Sequence, residues 1–273
     1  MKTISLIPKQ DALKSYPIEA EVITPDFFAN KSLKEIGTLS VWQGNRKLPL
    51  SSLVSLSCDD SHLGSINTFQ INMKGDFSKF KHVGEKMTGG KIIINGDIGM
   101  HLGVEMTGGQ IHVEGSVDDF AGANISGGEI IIKGQAGHYL GGSLRGDWQG
   151  MKGGHIKIVG NVGNECGIWM RNGFIEITGD VSSFLGMHLH DGTIIVNGDV
   201  KDRAGASMTG GQIIINGTLG SILPSFEFKQ KLSKITIKNY GELLGPFLEF
   251  KGDFAEKKQG TLYLLAEKNA NFK

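Results

Sequence analysis

The chain has 273 residues with 28 basic and 28 acidic side chains, so its formal net charge is zero. This balance gives no indication of nucleic acid or an anionic membrane as a partner. No apolar run reaches the roughly 18 residues of a membrane span, and the N-terminus does not lead into a secretion signal. We therefore expect a cytoplasmic protein that contacts no membrane.

The cysteine content limits which metal centres the chain can hold. Cys58 and Cys166 are the only two cysteines. They are too few for an iron–sulfur cluster or a structural zinc of the four-cysteine type. Cys166 falls at an apolar position of the repeat described below, where a small buried hydrophobe is expected.

Residues 1–65 are predicted to form a capping segment with a short helix. Thr24-Pro25-Asp26 opens a helical stretch, because proline suits a first helical turn. Ser32 and Glu35 have the spacing of a capping box. The remaining elements are predicted as short strands at Ile4–Ile7, Ile18–Ile23 and Leu53–Leu56 and a turn at Trp42–Asn45. We expect this segment to cover the end of the repeat, where strand edges would otherwise be unpaired.

A unit of 19 residues then recurs seven times up to Phe226, and Phe69–Gly75 matches part of a degenerate earlier copy. Self-similarity at a short fixed period is typical of solenoids. The copies begin at Met87, Met106, Ile125, Met151, Met170, Leu189 and Met208.

Numbering each copy from 1 indicates which side chains point inward. Positions 6 and 8 are always Ile or Val, position 7 is mixed, and positions 1, 12 and 16 are apolar in every copy. Strand residues alternate between faces, so positions 6 and 8 are predicted to point inward and position 7 outward. Three short strands joined by tight corners make one rung. The sequence therefore predicts an all-β fold, a single-stranded right-handed parallel β-helix of about seven to eight 19-residue rungs over residues 66–226.

The corners are predicted from glycine and polar residues. Position 10 is Gly in every copy, and residues such as Asp97 and Asp180 follow at position 11. We expect positive φ at these glycines and hydrogen bonds from the polar side chains to their own backbone. The Gly-x-x-Gly-x-x-x-Gly pattern resembles a phosphate-binding loop superficially. It lacks the Lys-Ser/Thr and the following helix, so corner geometry explains it better.

No constellation in the sequence indicates catalysis. Neither a Ser/His/Asp nor a Cys/His arrangement stands out, and the carboxylates at position 11 are predicted to form a solvated row. His188 and His190 lie two residues apart beside Asp191. This spacing offers two metal ligands on one strand face, and the alternative is a pair of surface histidines in a protein contact. We predict no catalytic, cofactor-binding or metal-binding residues in this chain.

Seven extra residues, Leu144–Gly150, interrupt the repeat once. They include tryptophan and arginine, the residue types most enriched at interface hot spots. One interpretation is a tolerated insertion with its tryptophan folded onto the rod, and the other is a docking loop or pocket edge. The candidate interface residues are Arg145, Asp147, Trp148, His188 and His190.

The repeat ends at Pro224, whose missing N–H suits the edge of a sheet. Residues 227–273 are richer in Lys, Phe and Glu, and they are predicted to form a second capping segment.

The Met-Thr-Gly-Gly units with their Ile/Val runs resemble the β-helix at the C-terminal end of the glutamate synthase large chain. They resemble the C subunit of formylmethanofuran dehydrogenase still more closely, because both flanks of the repeat are also similar to that family. The flanking matches are Thr24–Ile36, Val41–Asn45, Arg145-Gly146 leading into Gly150-Met151, Leu223–Phe228, Gly245–Phe247 and Gly252–Glu256.

This resemblance implies a non-catalytic scaffold within a complex that reversibly reduces CO2 and fixes it on methanofuran as a formyl group. In that family, the dinuclear metal site belongs to an amidohydrolase-like subunit, whereas a tungsten- or molybdenum-pterin belongs to a second large subunit. Ferredoxin-like subunits with [4Fe-4S] clusters and a small subunit complete the complex. The family's catalytic residues map onto no position of this chain.

Two alternatives accompany this interpretation. The C subunit of the formyltransferase/hydrolase complex has a similar β-helix, but that complex lacks the redox metal and hydrolyses formyl groups. A glutamate-synthase-type β-helix that acts only as a spacer is the second alternative, and the two family-specific flanks argue against it.

Overall fold

The computed structural model describes residues 2–13, 16–58, 65–238, 240–257 and 259–272. Strands dominate this part of the chain, and its helices are single short turns. The fold is therefore mostly β, as the sequence predicts. Within the described residues the strands form two sheets, one of 13 strands and one of four.

The elements before the repeat are short. They are β1 (Lys2–Pro8), β2 (Ile18–Glu19), α1 (Pro25–Phe28), α2 (Leu33–Gly37), β3 (Ser40–Gln43), β4 (Arg46–Pro49), α3 (Leu50–Leu53) and β5 (Val54–Cys58). Single 3-10 turns occur at Gln10–Ala12, Ile66–Thr68 and Ala270–Phe272. Both predicted helix starts are confirmed, because the Thr24 hydroxyl accepts the Phe27 N–H and Ser32 and Glu35 form the capping box.

Three element boundaries in this segment differ from the prediction. Trp42 and Gln43 belong to β3 because they pair with Glu19 and Ile18 of β2, so the turn is confined to Gly44 and Asn45. The predicted strand Ile18–Ile23 stops at Glu19, where the chain turns and the Ile23 N–H donates to the Ala20 carbonyl. Leu53 ends α3, and the strand predicted from Leu53 begins at Val54, which pairs with Pro8 of β1.

The repeat builds one long parallel ladder. It comprises β6 (Phe69–Lys74), β8 (Lys91–Asn95), β9 (Gln110–Val113), β10 (Glu129–Ile132), β11 (Lys152–Ile158), β12 (Asn172–Ile177), β13 (Thr193–Val196) and β14 (Gln212–Ile215), with β7 (Phe80–Lys81) outside it. Equivalent residues of successive copies lie side by side, so Ile92 pairs with Ile111 and Ile111 with Ile130.

A second ladder of single-residue bridges runs through position 12 of the copies. It joins Phe77, Ile98, Val117, Ala136, Val162, Val181, Val200 and Leu219 in parallel. The chain thus returns to both ladders once in every copy of the repeat, with one strand and one bridged residue per copy and not the three short strands predicted.

The core follows the predicted inward positions. Positions 1, 6, 8 and 12 are buried in every copy, and so is position 16 except at Leu223, which is only partly buried at the end of the repeat. These side chains form one continuous apolar core with the β1 residues Ile4 and Leu6. Burial of an aliphatic side chain contributes about 1.5–3 kcal/mol, so the regular column supplies a large gross stabilisation.

The ends of the ladder are occupied by the flanking segments. β1 pairs in parallel with β6, and β5 pairs antiparallel with β1. At the other end, β15 (Glu227–Ile237), β16 (Gly241–Gly252) and β17 (Gly260–Leu265) pair antiparallel in chain order. β17 lies parallel to β14, with Leu262 opposite Ile213.

The C-terminal strands also cover part of the outer face. Position 7 points outward, but Ile195 and Ile214 at this position are fully buried. They pack in a separate apolar cluster with Ile235, Ile237 and Phe247 of β15 and β16. The predicted outward position is therefore solvent-facing only where no flanking strand lies over it.

The predicted reason for glycine at position 10 is wrong. Among the seven position-10 glycines only Gly96 has a positive φ. A side chain at Gly134, Gly160 or Gly198 would instead overlap the backbone carbonyl of the equivalent glycine in the preceding copy. Glycine is required here because successive corners approach too closely for a Cβ atom.

The predicted hydrogen bonding at position 11 is also wrong. The side chains do not bond their own backbone but accept an N–H from the next copy. Asp97 accepts from Ser116 at 2.7 Å, Asp180 from Asp199 at 2.8 Å, and Asp199 from Thr218 at 2.7 Å. These hydrogen bonds lower the pKa of Asp199, with the Thr218 backbone N–H as the main cause. The row of acidic and polar side chains therefore links the stacked corners.

Within the described residues, no helix is long and apolar enough to cross a membrane.

We predict that Gly198→Ala lowers the free energy of unfolding by about 3 kcal/mol, because the new methyl group overlaps the Gly179 carbonyl. Gly146→Ala is the matched control, since nothing lies within 4 Å of a Cβ there. Its left-handed φ limits the cost to about 1–2 kcal/mol. Urea denaturation followed by circular dichroism measures both, and equal losses would contradict the close-packing explanation.

Candidate interaction surface

The loop at residues 144–150 leaves the register between β10 and β11 undisturbed, although β11 and β12 shift register between Lys152 and His155. β10 and β11 remain paired on either side of it, with Ile130 opposite Ile156. Leu144 packs onto a small outer cluster that includes Phe120 and Tyr139. The insertion therefore projects from one corner while the ladder behind it continues.

The first half of the loop is held by a buried side chain of the preceding copy. Asn124 is only 6% exposed, and its Oδ1 accepts the Leu144 N–H at 3.1 Å. Its Nδ2 donates to the Asp147 carboxylate at 2.6 Å. The other Asp147 oxygen accepts the N–H groups of Trp148 and Gln149 at 2.7 and 3.1 Å. Both carboxylate oxygens of Asp147 are thus used to fix the loop backbone.

The second half is held by the two copies that follow the loop. Arg171 Nη2 donates to the Trp148 carbonyl at 2.8 Å, and the Gly150 N–H donates to the Trp169 carbonyl at 2.9 Å. The backbone is fixed on both sides, yet the Trp148 ring is 66% exposed. Of the two interpretations of the insertion, a tryptophan folded onto the rod is therefore wrong. A rigid loop with an exposed aromatic ring loses little conformational entropy when it binds a partner.

The structure brings some of the predicted interface residues together. Trp148 and His190 line one surface cavity of about 580 Å³, together with Gln149, Lys152, Trp169 and Arg171. His188 stacks on Trp169, with ring centroids 3.9 Å apart and planes 6° from parallel. Arg145 is exposed on the same loop. The structure thus places Trp148, His188 and His190 close together on the surface. Asp147 fixes the loop backbone through its hydrogen bonds.

The stacked pair sits at a conformationally unusual position of the repeat. Trp169 and His188 occupy position 19 of consecutive copies and have φ values of 57° and 56°. Left-handed backbone costs an L-residue about 1–2 kcal/mol. Backbone hydrogen bonds to the next copy stabilise this left-handed conformation. The Trp169 N–H donates to the Met187 carbonyl, and the His188 N–H donates to the Ala206 carbonyl.

The structure does not place the two histidines in a cluster of possible metal ligands among the described residues. Neither lies on a strand, and no group of three or more His, Cys, Asp or Glu residues in that part of the chain is arranged to hold a metal ion. Burial lowers the pKa of His188, which its neighbour Glu256 partly opposes. Burial, followed by the charges of Arg171 and Lys257, lowers the pKa of His190. Both shifts favour the neutral form of the imidazole.

The sequence predicted His190 of this surface but not Lys152, Trp169 or Arg171, although the repeat contained a signal for them. Lys152, Arg171 and His190 all occupy position 2, in the three copies that follow the loop. The other four copies have Thr or Ser at position 2. Trp169 is likewise an outlier at position 19. A comparison of equivalent positions across copies identifies these residues, whereas a search for motifs does not.

A larger groove of about 710 Å³ lies elsewhere, between the starts of β11–β14 and the end of β15. His155, Phe174 and Tyr240 line it, with Phe174 and Tyr240 stacked at 5.2 Å. Its floor is formed by glycines of the repeat such as Gly173 and Gly192. It contains none of the predicted interface residues.

We predict that His188→Phe, which keeps a ring on Trp169, reduces the acid sensitivity of the fold. Because the pKa of His188 is lowered from its usual 6.5 in the folded state, the unfolded state binds the proton more tightly. Stability is then lost as the pH falls from about 6.5 towards the folded-state pKa. Thermal melts between about pH 7 and pH 5 measure this loss, and an identical loss in wild type and variant would contradict a neutral stacked imidazole.

Comparison with known sequences finds relatives over part of the chain. No family model matches. The C subunit of the molybdenum-containing formylmethanofuran dehydrogenase 1 of Methanosarcina barkeri is 44% identical over 100 residues, which are 37% of this chain and 32% of that protein. The C subunit of the tungsten-containing formylmethanofuran dehydrogenase 2 of Methanothermobacter marburgensis is 38% identical over 100 residues, 37% of this chain and 36% of that protein. The match therefore spans about a third of the length of these curated relatives.

Comparison of structures extends the likeness to nearly the whole chain. The crystal structure of the formyltransferase/hydrolase complex (FhcABCD) from Methylorubrum extorquens, in complex with methylofuran, contains a similar chain. The two chains superpose with a TM-score of 0.81 and 26% identity, over 95% of this chain and 98% of the other. The resemblance predicted from the sequence is thus confirmed: this chain is similar to the C subunit of molybdenum- and tungsten-containing formylmethanofuran dehydrogenases.

Proposed function

We propose that this chain is the scaffolding C subunit of a formylmethanofuran dehydrogenase, the complex that reversibly reduces CO2 and fixes it on methanofuran as N-formylmethanofuran. The main support is the 44% and 38% identity to the C subunits of the molybdenum and tungsten enzymes. The whole-chain likeness to a chain of FhcABCD supports a role in a complex for the flanks as well as for the repeat.

The proposed architecture is a right-handed parallel β-helix over residues 66–226, between capping segments at residues 1–65 and 227–273. Its support is the return of the chain to two parallel ladders in every copy. β6 and β8–β14 then correspond to eight successive rungs. The pairing of β1 with β6 and of β17 with β14 supports the capping role, because each flank occupies one end of the ladder.

The scaffold role in this proposal is non-catalytic. The polar side chains at position 11 already accept hydrogen bonds from neighbouring copies, and the inward positions are filled by buried apolar side chains. Cys166 is fully buried, and burial raises the pKa of its thiol to about 12, so it does not fit a thiolate ligand of a cluster. The tungsten- or molybdenum-pterin, the [4Fe-4S] clusters and the dinuclear metal site are accordingly assigned to other subunits.

The proposed partners are the amidohydrolase-like subunit, the pterin-binding subunit, the ferredoxin-like subunits and the small subunit. We assign the loop at residues 144–150 and its neighbours His188 and His190 to a contact with one of them. The support is the fixed backbone of the loop and the exposed ring of Trp148.

The second candidate function is that of the C subunit in a formyltransferase/hydrolase complex. The likeness to a chain of FhcABCD over nearly the whole length favours it. The two complexes differ in redox metal, so the metal content of the purified complex separates them.

Purification of the complex from its native source, with subunit identification and metal analysis, tests the proposal. We expect this chain to co-purify with the other subunits and with tungsten or molybdenum plus iron. A complex that lacks these metals would favour the hydrolase alternative. A stable monomer without partners would contradict the scaffold function itself.

We predict that Arg145→Ala combined with Trp148→Ala weakens association with the rest of the complex at least about tenfold, because hot-spot truncations typically cost about 2 kcal/mol or more. Both side chains are exposed, so the free energy of unfolding should change by less than about 0.5 kcal/mol. Trp42→Ala, at another exposed tryptophan, is the matched control. Biolayer interferometry measures the association, and an unchanged dissociation constant would remove the loop from the interface.

A further inference from the structure

The cavity beside the loop has an unusual charge distribution. We call it the basic cavity, and its lining consists of Trp148, Gln149, Lys152, Trp169, Arg171 and His190. Two of these residues are permanently cationic, and none is acidic. The two cations, Lys152 and Arg171, occupy position 2 of copies that follow the loop. In the four copies outside the three that directly follow the loop, position 2 is Thr or Ser. The basic character is thus confined to the part of the repeat that also has the insertion.

Arg171 is held in the cavity wall without a counter-charge. Its Nη2 atom donates to the Trp148 carbonyl at 2.8 Å, which fixes the guanidinium group. Its Nε atom is shielded from solvent and has no hydrogen-bond partner among the described residues. Neither Arg171 nor Lys152 takes part in an ion pair with the described residues. An immobilised, half-buried cation of this kind attracts an anion more strongly than a solvated surface lysine does.

The tryptophan rings that line the basic cavity indicate which kind of anion it would bind. The Trp148 ring is 66% exposed, and Trp169 is held by its stack on His188. Large apolar rings beside fixed cations suit the methylene groups and the carboxylate of an acidic side chain within a peptide segment. A free inorganic anion would use the charges but leave the rings exposed. Lys257 lowers the pKa of His190 and Glu256 raises that of the neighbouring His188, so residues 256 and 257 together add no net charge beside the cavity.

We propose that the basic cavity receives an aspartate or glutamate side chain from an acidic segment of a neighbouring subunit. The carboxylate would pair with Lys152 and Arg171, while the backbone of the segment would lie across Trp148. This inference rests on the proposed scaffold function, and it specifies the chemistry of one docking contact.

Photo-cross-linking in the purified complex tests the identity of the occupant. Gln149→p-benzoylphenylalanine places the probe in the cavity lining and leaves the charged residues and both tryptophans unchanged. We expect mass spectrometry to locate the cross-link on another protein of the complex, in a segment with Asp or Glu adjacent to the linked residue. A cross-link to a second copy of this chain, to a segment without acidic residues, or to no protein would overturn the inference.

Charge reversal tests the electrostatics independently. Lys152→Glu should raise the dissociation constant for the rest of the complex about tenfold at low salt, and the difference should shrink at about 0.5 M NaCl. Lys133→Glu reverses an exposed lysine outside the cavity and serves as the control. Equal dissociation constants for the two variants would overturn the inference.

Titration of the full-length chain with inorganic phosphate separates a free anion from an acidic peptide. We expect tryptophan fluorescence to remain unchanged up to millimolar phosphate. Saturable quenching that Lys152→Glu abolishes would assign the cavity to a small anion and overturn the inference. In all these outcomes the scaffold function stands if the chain still co-purifies with the complex, and it fails separately if the chain does not.

Discussion

Close stacking of equivalent backbone segments is the constraint on which this structure depends. Each corner lies so near the corner of the preceding copy that a Cβ atom at position 10 would overlap a carbonyl group, as at Gly198. The same proximity lets Asp180 accept an N–H from Asp199 of the next copy. Steric fit and hydrogen bonding between copies therefore impose the 19-residue period on the sequence.

The apolar interior of the repeat was predictable, because strand alternation and the 19-residue period together determine which positions point inward. The apolar positions 1, 6, 8 and 12 are buried in all copies. The hydrogen bonding at the corners was not predictable, because the local sequence does not show that an N–H from another copy lies beside Asp97. The burial of Ile195 and Ile214 depends on the C-terminal strands, whose placement leaves no periodic signal. Prediction failed where the decisive neighbour is distant in sequence.

The location of the proposed interaction surface follows from the sequence, but only part of its composition does. Residue type identified Trp148 and Arg145, and an insertion into a regular rod must project from it. The supporting residues Asn124 and Arg171 come from other copies of the repeat, and their contacts to the loop appear only in three dimensions. A fixed backbone, an exposed ring and two cations without an ion pair among the described residues occur together on the copies next to the loop. Under the proposed function, a few changes at equivalent positions would be enough to give a regular repeat a specific docking site.

A cryo-electron microscopy structure of the purified native complex would show directly whether this chain is a scaffold. We expect a rod whose loop at residues 144–150 contacts another protein of the complex, with every metal centre lying in other chains. A pterin, iron–sulfur cluster or metal ion bound by side chains of this chain would contradict the scaffold function. A complex in which Trp148 faces only solvent would contradict the assignment of its docking surface.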